Sequence, residues 1–112
     1  MKVDLQQILE RAEQRLAGLS EATGEESLRI LRSFLKMESH RLRMLHRYGL
    51  TGWEVASSRA QVVDAIIIHA YRMALARYPE RSKSKANQLA VAVVAVGGYG
   101  RGELCPESDV DL

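Results

Sequence analysis

The stretch that most constrains this chain runs from Leu89 to Leu112: LAVAVVAVGGYGRGELCPESDVDL. Its first eight residues, Leu89–Val96, are all apolar and rich in valine, the pattern of a fully buried strand. Four glycines within Gly97-Gly98-Tyr99-Gly100-Arg101-Gly102 then interrupt regular structure. Beyond them, Ser108-Asp109-Val110-Asp111-Leu112 alternates acidic and apolar residues, the period of a second strand. Side chains two apart on a strand share a face, so Asp109 and Asp111 are expected side by side, with Val110 and Leu112 pointing inward.

That arrangement suits a nucleoside triphosphate bound with magnesium. Mg2+ is a hard cation that takes oxygen ligands, commonly one or two carboxylates together with substrate phosphates. Two such ions roughly 3.5–4 Å apart hold the attacking and leaving oxygens of a phosphoryl displacement. Glycines directly after a strand let backbone N–H groups approach phosphate with no Cβ in the way. A glycine turn alone, or two acids on an exposed strand alone, says little; the order strand, Gly-Gly, short gap, Ser-Asp-x-Asp is far more specific.

The chain before this stretch reads as helical. Leu5, Ile8, Leu9, Ala12, Leu16 and Leu19 follow the spacing of one helix face, and Gly18 and Ser20 mark its end. Thr23-Gly24-Glu25-Glu26 has the Thr-x-x-Glu form of a capping box that opens a second helix. Leu28, Leu31, Leu35, Leu42 and Leu45 form its stripe, widened by Ile30, Phe34, Met37 and Met44. Its basic residues, Arg29, Arg32, Lys36, Arg41, Arg43 and Arg47, read as a solvated face. Gly49 suits a left-handed helix end, and Thr51-Gly52-Trp53-Glu54 is a second capping box. A third helix is expected from Gly52 to Tyr78, closed by Pro79 and the most buried of the three. It carries one apolar stripe through Trp53, Ala56, Ala60, Val63, Ile67, Ala70, Ala74 and Leu75, and a second through Val55, Val62, Ile66 and Met73.

Composition sets limits. A chain of 112 residues holds one domain, or a helical unit and a piece of another. Sixteen basic against fourteen acidic residues, net +2, makes no strong electrostatic case for nucleic acid. The single cysteine, Cys105, excludes an internal disulfide framework and suits a reducing cytoplasm. No apolar run approaches the roughly 20 residues of a membrane span, and the first residues carry Asp4 and amides where a signal peptide has an apolar core. The expected location is cytoplasmic. His40, His46 and His69 lack the spacing of a helical metal pair.

With these residues in view, Gly97 to Leu112 (GGYGRGEL-x-P-x-SD-x-DL) resembles the signature of the polymerase β-like nucleotidyltransferases, in the form of the protein-PII uridylyltransferases. The segment from His46 through Trp53 to Asp64 is similar to the helical region before that signature, so the resemblance covers about Leu45–Leu112. It implies that Gly97 and Gly98 contact the triphosphate and that Asp109 and Asp111 bind the metals. Ser108 stands where the family has a serine, and Arg101 either approaches phosphate or pairs with Glu103 or Glu107. Tyr99 stacks on a base or packs under the loop. The implied fold class is α+β: a three-helix N-terminal region (1–78), a polar linker (79–88) and the first strand–loop–strand of a nucleotidyltransferase core (89–112).

The implied activity is Mg2+-dependent transfer of UMP from UTP to a tyrosine of a PII-type nitrogen regulator. The family's third carboxylate belongs to a later strand, so the expectation is the front end of an enzyme, inert by itself. Tyr99 after the Gly pair and the Glu-Leu-x-Pro continuation favour uridylyl over adenylyl transfer. An AMP-transferring relative, a non-catalytic regulatory domain and a helical interaction module are the alternatives.

Overall fold

The structure, a computed structural model, describes residues 3–81, 91–107 and 109–112. Helix α1 spans Leu5–Leu16 and is opened by Asp4, whose carboxylate accepts from the Gln6 N–H at 2.9 Å. A 3-10 turn at Leu19–Glu21 leads to α2, Gly24–Arg47. The capping box expected there is complete: Thr23 Oγ1 accepts from the Glu26 N–H, and the Glu26 carboxylate from the Thr23 N–H. Gly49, at φ +115, turns the chain out of α2. Thr51 and Glu54 form the second box and open α3, Gly52–Arg81. Helix α3 passes through Pro79, which does not close it. A proline lacks the N–H that would bond four residues back and crowds that carbonyl, yet the helix continues two residues beyond it, to Arg81. Residues 82–90, with most of the expected linker and the first two residues of the expected strand, lie outside the described residues.

The core forms where α1, α2, the 3-10 turn and α3 meet. Ile8, Ala12, Leu16, Leu19, Phe34, Leu42, Leu50, Val55, Val62 and Ala65 are buried together, with Ile66 and Met73 packed against them. Two polar ties cross it. Arg11 donates from Nε and Nη2 to the two oxygens of Glu38, at 2.6 and 2.9 Å. Arg77 reaches back from α3 to the carbonyls of Leu19 and Ala22 and to Ser27 Oγ, holding the 3-10 turn in place.

Periodicity overstated the buried arcs at their edges. Leu5, Leu9, Leu28 and Met37 are exposed; so are two residues placed in the buried stripe of α3, Leu75 and Trp53, the latter 66% exposed. Arg29, Arg32, Lys36, Arg43 and Arg47 lie on the exposed face of α2, as expected.

The α+β expectation is overturned. The described residues are helical or irregular, with no strand and no sheet. Val91, Val93, Val94 and Val96 are exposed rather than buried. A strand exists only through bonds to a neighbouring backbone. Between 91–96 and 109–112 the one such bond is Val96 N–H to Asp111 O, at 3.1 Å. That single link sets the two segments beside each other without making a ladder.

Candidate active site

The glycine motif folds as a hydrogen-bonded turn. Helix α4, Gly97–Gly100, is one turn long, preceded by Val96 in extended conformation. Five successive amides are satisfied: Gly100 by Val96 O, Arg101 by Gly97 O and Gly98 O, Gly102 by Tyr99 O, Glu103 by Gly98 O, and Leu104 by Ala56 O of α3. The last of these, at 3.1 Å, ties the motif to the helical unit through backbone.

Three glycines of the motif are required by geometry, Gly102 by its φ of +74 and two others by close contacts. Gly97 sits at φ +64, and a Cβ there would lie 2.9 Å from Asp111 Oδ2. At Gly100 a Cβ would lie 2.7 Å from the Ala95 carbonyl oxygen, a distance real Cβ atoms do not adopt. The first contact bears on chemistry: it places the Asp111 carboxylate directly over the start of the Gly-Gly turn.

Tyr99 anchors the motif. Its ring is 5% exposed and packs with Ala60, Val63, Leu104 and Ile67. Its hydroxyl donates to Asp64 Oδ1 at 2.5 Å. Burial first, and then the bond to the Asp64 carboxylate, pushes the Tyr99 phenol well above its ordinary pKa. The two stripes of α3 are thereby explained. Val55, Val62, Ile66 and Met73 face the helical core, while Ala60, Val63 and Ile67 face the motif.

The other expected site residues fall around this anchor. Asp109 and Asp111 are both exposed, and Ser108 lies outside the described residues. Arg101 Nε lies 3.7 Å from Glu103 Oε2, so of its two readings the structure displays the ion pair. Gly98 packs closely beneath Glu103 O. Cys105 is exposed and free. His46 and His69 each place Nδ1 against a backbone carbonyl, of Leu50 and Ala65. Among the described residues, no group of three or more His, Cys, Asp or Glu is arranged to hold a metal ion, and no helix is long and apolar enough to cross a membrane. An open groove of about 600 Å3 lies between α3 and residues 91–95, lined by Asp64, Ile67, Tyr71, Val91, Tyr99 and Leu112 among others.

Sequence reasoning gave no role to Asp64 or Leu104. Asp64 follows Val63 and lies four residues after Ala60 and three before Ile67, a carboxylate at the edge of an apolar stripe. That position was the available signal. Leu104, fully buried, is the only apolar residue between Tyr99 and Cys105.

The family model described as glutamate-ammonia ligase adenylyltransferase matches residues 2–112. The bifunctional uridylyltransferase/uridylyl-removing enzyme of Nitrosococcus oceani is 41% identical over 90 residues, covering 80% of this chain and 9% of that protein. Its counterpart in Rhodospirillum rubrum is 34% identical over 104 residues, covering 92% and 10%. That of Erythrobacter litoralis is 34% identical over 101 residues, covering 84% and 11%. The chain thus spans about a tenth of the length of the curated relatives it matches. No solved structure gives a significant match. The family description names adenylyl transfer and the relatives uridylyl transfer, two reactions that move a nucleotidyl group. The chain belongs to the family described as glutamate-ammonia ligase adenylyltransferase, and it is similar over most of its length to the bifunctional uridylyltransferase/uridylyl-removing enzymes.

Proposed function

We propose that this chain carries part of the nucleotide site of an enzyme that transfers UMP from UTP to a tyrosine of a PII-type regulatory protein. The observation that carries the reading is the meeting of Gly97 and Asp111, which joins the two halves of the motif in space. Gly97 and Gly98 are the residues that would meet the triphosphate, and the missing Cβ of Gly97 lets the Asp111 carboxylate come close to the turn. Asp109 and Asp111 supply two exposed carboxylates, the hard oxygen donors that suit Mg2+ when phosphates complete its shell. Asp109 and Asp111 would hold such an ion, which when bound would supply positive charge against the phosphates and the acceptor hydroxyl. Asp111 then holds its carboxylate at the mouth of the turn, and Arg101 stands beside it, able to exchange Glu103 for a phosphate oxygen. UTP is favoured over ATP because the relatives matched are uridylyltransferases. The adenylyl alternative retains one support, the description of the family model.

The test is transfer by the full-length protein, with Mg2+ and a PII-type acceptor, from labelled UTP and from labelled ATP. Labelling from UTP is expected. Labelling from ATP alone moves the protein to the adenylyl reaction, and labelling from neither overturns the proposal. Asp109→Asn is expected to abolish transfer while leaving the helical fold unchanged. Full activity in that variant sinks the metal assignment.

A further inference from the structure

Asp64 lies on α3, 33 residues before Gly97, outside the glycine and aspartate motif. It accepts the hydroxyl of Tyr99, the one large side chain in the Gly-Gly-Tyr-Gly turn, while the Tyr99 ring fills a small apolar cluster on the same helix. The turn itself contributes little to its own order. Glycines lose more conformational freedom on folding than any other residue, and a single helical turn is an unfavourable nucleus by itself. Gly97, Gly98 and Gly100 also have no side chain with which to pack. The contacts that fix the turn on the helical unit are the Tyr99 ring, the Tyr99–Asp64 bond, and the Leu104 side chain with its N–H to Ala56 O. Of these, the Asp64 bond is the side-chain hydrogen bond that joins the turn to α3, and it sets where the tyrosine hydroxyl rests on that helix.

We infer that Asp64 is a positioning residue for nucleotide binding: through the Tyr99 hydroxyl it holds the Gly97–Gly98 backbone at the place where the triphosphate is received. The inference rests on the proposed function for its consequence and on the geometry of the turn for its mechanism. It assigns the helical region a part in the site, as the base to which the nucleotide turn is fastened. Asp64 touches neither nucleotide nor acceptor in this scheme; it acts only through Tyr99.

Two readouts on the full-length protein decide it, with the variants Tyr99→Phe, Asp64→Ala and Asp64→Asn. Tyr99→Phe keeps the ring in its cluster, and Asp64 is exposed, so each variant retains the packed core. The first readout is amide hydrogen exchange at Gly100 to Leu104, whose five amides are all bonded in the turn. Tyr99→Phe and Asp64→Ala are expected to accelerate it at least about tenfold, the size of one bond to a charged acceptor. Amides of α1 and α2 are expected to stay unchanged. Asp64→Asn keeps an acceptor oxygen and is expected to restore slow exchange, and combining Tyr99→Phe with Asp64→Ala is expected to be no worse than either alone. The second readout is transfer from UTP, where KM is expected to rise about tenfold in Tyr99→Phe and Asp64→Ala with kcat nearly held.

Unchanged exchange in Tyr99→Phe and Asp64→Ala overturns the inference, as does acceleration of the α1 and α2 amides in step with the turn. If the unsubstituted protein transfers no nucleotide, the proposed function falls, and the exchange data still decide whether Asp64 orders the turn.

Discussion

Arg11 and Glu38 meet across the helical core as a two-pronged ion pair, Nε to Oε1 at 2.6 Å and Nη2 to Oε2 at 2.9 Å. The Glu38 side chain is 4% exposed and that of Arg11 22% exposed. Arg41 Nε adds a longer contact to the same carboxylate, at 3.8 Å. The bond to Glu38 raises the Arg11 pKa above its already high ordinary value, against the opposing effect of burial. A pair of this kind is costly to break from one side, because the remaining charge is stranded out of water.

The two halves of the pair should not cost the same. Arg11→Ala leaves a nearly inaccessible carboxylate and is expected to destabilise the helical unit by about 3–5 kcal/mol. Glu38→Ala strands an arginine that still reaches solvent, so its cost should be the smaller. Replacing Arg11 with Met and Glu38 with Leu together should recover most of the loss. Urea unfolding at constant m-value measures all three. Equal costs for the two alanine variants would refute the asymmetry.

Large apolar residues separate sharply by position. Phe34 is 1% exposed at the centre of the core, so Phe34→Ala should cost about 3–5 kcal/mol. Trp53, at 66% exposed, should tolerate alanine within about 0.5 kcal/mol. The same unfolding measurement checks both. A large loss at Trp53 would mean that the stripe read from the sequence, and not the exposure seen in the fold, describes that residue.

Tyr99 gives the fold a dependence on alkaline pH. Its folded pKa is raised above the unfolded value near 10, so the neutral phenol is the form the fold favours. The stability it contributes is therefore complete below about pH 10 and declines as pH rises above that value. Titration of tyrosinate absorbance should show one of the four tyrosines lagging the rest, and Tyr99→Phe should remove that late step. The unsubstituted protein should also lose stability between about pH 10 and 12 more steeply than Tyr99→Phe. Identical pH profiles for the two proteins would contradict the burial of the Tyr99 hydroxyl.

What the sequence determined by itself was the local part of the structure. The capping boxes at Thr23 and Thr51, the turn at Gly49 and the three long helices all depend on bonds between residues three or four apart, which composition and spacing reveal directly. The Gly-Gly-Tyr-Gly and Asp-x-Asp motif was equally legible, because its residue types are unusual at that spacing. Tertiary structure decided the rest. Whether Leu89–Val96 becomes a strand depends on a partner backbone, and the described residues supply one bond, from Val96 to Asp111. Glu38 occupies a helical position between Phe34 and Leu42, where pattern alone expects an apolar side chain; only the arrival of Arg11 from α1 makes the carboxylate tolerable. Asp64 likewise acquired its role from a tyrosine 35 positions away. A helix writes its own hydrogen bonds into neighbouring residues, whereas pairing, burial of charge and the seating of the nucleotide turn depend on contacts between residues far apart in the chain.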